Sequence, residues 1–149
     1  MSRLAPLLDE YELSHRHPVN VAIHWLAEPL AILALMALAA SVPLPVFGSL
    51  LLPFLALLLT YFARLSLRVT LAFLPVVAAF CVILVWLDAF APGTWRWALP
   101  LFAICWVTLL LGHRIEGRVP SVFQNPHLIF VGPAWLMRRL FRRLNWPDP

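Results

Sequence analysis

Between Val69 and Ala91 the chain reads VTLAFLPVVAAFCVILVWLDAFA, 23 residues whose single charge, Asp88, lies near the far end. A helix of that length extends about 35 Å, and the hydrocarbon core of a bilayer is about 30 Å thick. Such a run is buried either in a large apolar core or in lipid, and the number of runs decides between the two. Three more follow the pattern: Val19–Ala40, Val46–Leu65 and Trp95–Leu111. With 62% of 149 residues hydrophobic and 12% charged, too little polar sequence remains to wrap four such segments, since a soluble domain carries about 25% charged residues. The expected fold is all-α, an integral membrane bundle of four transmembrane helices in one membrane domain over residues 1–149. Pro29, Pro53, Pro75 and Pro100 fall inside the runs, where membrane helices tolerate proline as a kink. Pro18 stands at a first helical position, where its missing N–H costs nothing.

The tail, residues 120–149, reads differently. PSVFQNPHLIFVGP is too short and too broken by proline to span. AWLMRRLFRRLNW spaces Leu136, Leu140 and Leu144 four apart and puts Arg138, Arg139, Arg142 and Arg143 on another face. That is the pattern of a C-terminal interfacial amphipathic helix, arginines toward anionic headgroups, with Trp135 and Trp146 as anchors.

Every basic residue is arginine, and the formal net charge is +4. Nucleic acid is a poor partner for these charges, because arginine at the ends of apolar runs is a topology signal. Arg3 and Arg16 precede the first run, Arg64 and Arg68 separate the second and third, and Arg114, Arg118 and the four tail arginines follow the fourth; Arg96 alone lies on the other side. Both termini are therefore expected to be cytoplasmic. Asp9, Glu10 and Glu12 ahead of the first run argue against a signal peptide. The absence of lysine beside abundant Arg, Ala and Pro hints at a GC-rich bacterial genome, hence a bacterial inner membrane. Cys81 and Cys105 lie inside apolar runs and read as small buried or lipid-facing residues, without the spacing of a disulfide or metal motif.

This topology brings all five histidines to one membrane face. His15, His17 and His24 stand at the entry of the first run, His113 at the exit of the fourth, and His127 in the tail. On a helix Asn20, His24 and Glu28 share one face, as do His113 and Glu116. Ionisable groups in a span cost about 2.5–3.5 kcal/mol at its centre, less near its ends, and normally face the bundle interior with partners. Imidazole with an occasional carboxylate suits Zn, Fe, Cu or Ni, and histidines with open positions are the pattern of non-haem iron oxygenases. Three readings stay open on the residues alone: a metal site, hydrogen-bonding histidines at the interface, or a haem ligated by two of them. A transporter is disfavoured, because residues 46–87 contain no acid or histidine near the midplane.

The segment YELSHRHPVNVAIHWLAEP resembles the opening signature of the membrane enzymes for metabolism of phytosphingosine to odd-numbered fatty acids, a fungal family with bacterial relatives. Tyr11, His15, Asn20, His24 and Pro29 occupy the signature positions. GHRIEGRVP supplies the second block with Gly112, His113, Glu116 and Pro120. The resemblance implies an iron(II) dioxygenase that acts with O2 on 2-hydroxy fatty acids in α-oxidation, removing one carbon. It implies His15, His24 and His113 as Fe(2+) ligands, Glu116 as a ligand or as the partner orienting a histidine, and Tyr11 and Asn20 beside the metal or substrate. Arg16, Arg114 and Arg118 are candidates for attracting the substrate carboxylate. This sequence departs from the pattern at Ser14, where an aromatic residue is usual, at Glu28, where an apolar one is usual, and around His127. Rival expectations are a bis-histidine haem electron carrier, with His24 and His113 as axial ligands, and a non-catalytic membrane scaffold tolerant of histidine substitution.

Overall fold

The structure is a computed structural model that describes residues 4–90 and 93–148; Arg3, Ala91 and Pro149, used in the sequence reading, lie outside them. The chain is helical almost throughout. Helix α1 (Ala5–Glu12) is followed by the long α2 (Pro18–Ala40), a hairpin of β1 (Pro43–Leu44) and β2 (Gly48–Ser49), then α3 (Leu51–Leu65), α4 (Leu67–Phe90) and α5 (Trp95–Glu116). A short α6 (Ser121–Gln124) and a 3-10 turn (Pro126–Phe130) lead into α7 (Val131–Arg143). Helices α2, α4 and α5 are long and apolar enough to cross a membrane, and α3 is a shorter apolar helix.

Two boundaries differ from the sequence expectation. The second apolar run begins as helix at Leu51, not Val46, because Pro43, Pro45 and Gly48 divert the chain into the hairpin. Pro43 pairs with Ser49 and Leu44 with Gly48, and Gly48 takes a positive φ of 73°, a conformation glycine adopts at little cost. The fourth run continues as helix five residues beyond Leu111, to Glu116. It ends where Arg118 N–H donates to the His113 carbonyl and Gly117 N–H to that of Arg114, both at 3.2 Å, with Gly117 at φ 70°. This is a Schellman closure, and it keeps His113 and Glu116 on one continuous helix.

The residues divide into two compact units, Leu30–Ile104 and the pair of segments Met1–Pro29 and Cys105–Pro149. The first unit is held by apolar packing. Leu33, Met36, Ala37, Leu84 and Ala98 form its buried cluster, with Phe54, Leu55 and Phe80 packed against it. Helices α3 and α4 meet across Ser66, whose extended backbone separates them, and Phe62 stacks on Phe73 with ring centroids 4.9 Å apart. Many of its large side chains, such as Leu57, Val82, Val85 and Trp86, are exposed, as expected for helices whose outer surface meets lipid.

The second unit is held by polar groups as well. Helix α7 packs on α1, and here the expected free basic face is not found. Arg138 is buried and bonds Asp9 at 2.6 Å and Asp148 at 3.3 Å; Arg139 bonds Glu12 at 2.5 Å and Arg142 bonds Asp148 at 2.9 Å. Trp135, expected as an interfacial anchor, is fully buried. The reason is charge complementarity: the acids that α1 carries, Asp9 and Glu12, meet the arginines of α7 more than a hundred residues away, and a periodicity argument confined to one helix cannot see them.

Candidate metal centre

The chain leaves α1 with Tyr11 in its last turn and reaches His15 before α2 begins at Pro18. The His17 ring caps that start, its Nδ1 accepting the Val19 N–H at 3.3 Å. His15 Nδ1 lies 2.6 Å from the Tyr11 carbonyl, and His24 Nδ1 lies 3.0 Å from the Asn20 carbonyl. A carbonyl can only accept, so each Nδ1 carries the proton and each Nε2 presents a lone pair. Those two Nε2 atoms face one another at 3.1 Å. Two lone pairs at that distance repel unless a proton or a metal cation lies between them. Burial above all, together with the neighbouring His24, His113 and Arg139, pushes the His15 pKa down to about 2. A bridging proton is therefore a poor solution, and a cation that accepts neutral imidazoles is a good one.

His113 completes the cluster from the last turn of α5. Its ring centroid lies 4.7 Å from that of His15 and 5.3 Å from that of His24. One nitrogen from each of the three buried histidines lies within 4.8 Å of the other two. Metal–nitrogen bonds near 2.0–2.1 Å place ligand nitrogens about 3–3.5 Å apart, so the closest pair is already at ligand spacing. His113 Nδ1 is buried and has no hydrogen-bond partner among the described residues. The donor set and its unshared lone pairs fit a divalent transition metal.

The surrounding residues hold this geometry. The Tyr11 ring stacks on His15 at 3.9 Å, nearly parallel. Burial, with the nearby Glu28 carboxyl, pushes its phenol well above its ordinary range. Trp135 packs on Tyr11, His15 and His24 at 5.5, 4.9 and 6.0 Å. Its indole N–H donates to Glu12 at 2.5 Å, and the Arg139 guanidinium lies over its ring at 4.5 Å. Arg139 also donates to the His15 carbonyl at 3.2 Å. Glu116 clips the end of α5 to the start of α2: it accepts from the Arg16 backbone N–H and from Asn20 Nδ2, each at 2.7 Å. Asn20 Nδ2 also reaches the Ser14 carbonyl at 3.3 Å. The Ser14 hydroxyl bonds that of Ser121 in a short contact and lies 3.2 Å from His15 Nδ1.

Two glycines make room. A Cβ on Gly112 would collide with the Asn20 side-chain oxygen, and one on Gly132 with the Glu28 carboxyl and, at 2.8 Å, with the Tyr11 hydroxyl. Glu28 sits one turn beyond His24, buried, with Oε2 lacking a partner among the described residues.

The structure thus gathers His15, His24 and His113, with Tyr11, Asn20, Glu28 and Glu116 around them. Arg16 touches Glu116 through its backbone. Arg114, Arg118 and His127 are exposed, and His127 is not among the three grouped histidines; His17 serves as a cap. Glu12, Ser14, Ser121, Trp135 and Arg139 were not singled out by sequence reasoning for this role. Only one signal pointed to them, the acids Asp9, Glu10 and Glu12 near the start against the RRLFRR run near the end. A family model described as 2-hydroxy-palmitic acid dioxygenase Mpo1-like matches residues 1–144. No curated protein and no solved structure matches the chain.

Proposed function

The chain belongs to the 2-hydroxy-palmitic acid dioxygenase Mpo1-like family, and on that premise we propose that it is a membrane iron(II) dioxygenase that shortens 2-hydroxy fatty acids by one carbon. The observation that carries the reading is the pair of imidazole lone pairs meeting at 3.1 Å beside a third buried histidine. His15, His24 and His113 would hold the iron. A ferrous ion there supplies the redox chemistry that dioxygen needs before the C1–C2 bond can break.

The chain's own residues do the rest. The backbone carbonyls of Tyr11 and Asn20 fix the His15 and His24 tautomers, a role such partners commonly play at metal sites. Tyr11 and Trp135 close one side of the cluster with aromatic surface and keep water out. Glu116, through Asn20 and the Arg16 backbone, keeps His113 in register with His24. The acid enters from the leaflet with its head at the span ends, where Arg16, Arg114 and Arg118 add positive potential. Its tail stays in an apolar environment worth roughly 0.8 kcal/mol per CH₂.

The cluster also bears on topology. If α2, α4 and α5 each cross the membrane, the start of α2 and the end of α5 share a face only when α3 crosses too. That supports four spans, α3 being about 22 Å long and met by local thinning of the bilayer. Both termini are then on one side, the cytoplasmic side of a bacterial inner membrane by the arginine distribution, with α7 near that surface. The haem alternative is weaker, because imidazole centroids 4.4–5.3 Å apart and mutually edge-on are too close to flank a porphyrin.

The test uses the full chain in detergent, supplied with Fe(II), oxygen and 2-hydroxypalmitate. Oxygen uptake and an acid one carbon shorter are expected, both lost with a chelator. His24→Ala and His113→Ala should each lose turnover and bound metal while keeping the helical circular dichroism signal. Turnover surviving in both variants refutes the iron site.

A further inference from the structure

Beside the cluster runs a groove of about 490 Å³, of whose lining the dioxygenase reading uses Arg16 alone among the pocket residues with a cationic side chain. Its floor comes from the first two turns of α2, with Val21, Ala22 and the Trp25 indole; Arg16 on one side and Arg139 and Arg143 of α7 on the other make its rim. The Arg143 guanidinium lies 4.9 Å above the Trp25 ring, and that of Arg139 is fixed over Trp135. Three cations thus converge on one cavity. The one carboxylate bonded to them is Glu12, on Arg139; Arg16 and Arg143 have no side-chain carboxylate partner among the described residues. Two buried donors of the lining, Trp25 Nε1 and Arg139 Nε, have no acceptor among the described residues. Buried donors in folded proteins nearly always find one.

The location narrows the ligand. The floor is the first stretch of an apolar span, the depth at which lipid headgroups give way to acyl chains. A guanidinium matches carboxylate and phosphate oxygens with two parallel N–H bonds, while Val21, Ala22 and the indole offer apolar surface leading away from the charges. We propose that this groove binds the anionic head of a membrane amphiphile, either a fatty carboxylate or the phosphate of a phospholipid, with its acyl chain laid along α2. Arg16 follows His15 in the chain, Trp25 follows His24, and Arg139 holds the His15 carbonyl. A head seated there is anchored next to the histidine cluster. The carboxylate source rests on the dioxygenase reading and the phosphate source does not.

The test measures binding, not turnover, with metal-free full-length protein in an uncharged detergent. One arm titrates palmitate, which lacks the 2-hydroxyl and is not a substrate; the other titrates phosphatidylglycerol, by calorimetry and native mass spectrometry. Arg16→Gln and Arg143→Gln should each weaken the true ligand about tenfold, with a dependence on salt. Arg64→Gln, an exposed arginine in α3 that removes the same charge, should leave binding unchanged. Ala22→Leu, which fills the floor and spares every arginine, should also weaken it, and this variant guards against a trivial loss of charge. Loss confined to palmitate identifies the carboxylate, loss confined to phosphatidylglycerol the phosphate, and loss of both a shared anion site. If the Arg16→Gln/Arg143→Gln double variant keeps its helical signal and binds both ligands as Arg64→Gln does, the groove is not a headgroup site. An inactive wild type that still binds palmitate in the groove would count against the dioxygenase reading alone.

Discussion

The two units of this chain are built on opposite rules. In Leu30–Ile104 the buried cluster is Leu33, Met36, Ala37, Leu84 and Ala98, and it holds local side-chain hydrogen bonds such as Thr94 to Asp88 at 2.8 Å. In the other unit His15, Asn20, His24, Glu28, His113 and Arg138 are all buried, and its bonds join residues about a hundred positions apart. Apolar packing is non-directional and tolerates volume-conserving exchange. Buried polar networks are directional, and breaking one partner leaves the other unsatisfied. The first unit can therefore drift in sequence while keeping its hydropathy, whereas the second is specified atom by atom.

The sharpest way to break this contrast is substitution of matching polar groups in the two units. His15→Ala should lower metal affinity and turnover by at least a hundredfold, measured by metal content and oxygen uptake. Asp88→Asn, whose amide oxygen still accepts from Thr94, should leave both within twofold. Equal losses would show that the polar unit is not special. Next comes Met36→Ala, a fully buried residue of the apolar cluster. It should cost about 2–5 kcal/mol of stability, read by denaturation in detergent, with metal affinity per folded molecule unchanged. Gly132→Ala reverses that pattern. Its methyl must displace Glu28 and press on Tyr11, so about 1–3 kcal/mol of strain should appear together with weaker metal binding.

The smallest effect is electrostatic. Asp148 bonds Arg142 and Arg138, and those cations hold its carboxyl below its ordinary value of 3.8. The unfolded chain then binds the proton more readily as pH falls. The stabilisation is complete above pH 3.8 and disappears as pH drops through the lower folded value. With Asp148 about half exposed, the gain is under ~1 kcal/mol. Asp148→Asn should remove that slope from acid unfolding curves and leave the neutral-pH midpoint of the Leu30–Ile104 unit untouched.

The same contrast explains what could be read from the sequence. Three of the four apolar runs matched α2, α4 and α5 closely at their starts, because hydropathy over twenty residues is a local property. The triad of His15, His24 and His113 was legible because the topology expected from the arginines puts the start of the first run and the exit of the fourth together, and helical spacing put Asn20, His24 and Glu28 on one side of α2. Trp135 was misread as an anchor and Arg138 and Arg139 as lipid-facing, since their partners Glu12 and Asp9 are fixed only by the docking of α7 on α1. Ser14 with Ser121, and the space that Gly132 leaves for Glu28, are likewise tertiary facts with no periodicity to betray them. The shortened α3 was missed because residues 46–50 are apolar enough to be counted in the second run, and the pairing of Pro43 with Ser49 that turns them into a hairpin has no hydropathy signature.

The segments that carry the histidines, Met1–Pro29 and Cys105–Pro149, are separated by the whole of the other unit. During synthesis His15 and His24 leave the ribosome ahead of His113 and wait while the 88 residues between His24 and His113 are made; Glu12 waits longer still for Trp135 and Arg139. A nascent chain therefore has no finished cluster until both segments have emerged, and the three histidines can close on one metal ion only after α5 has been made.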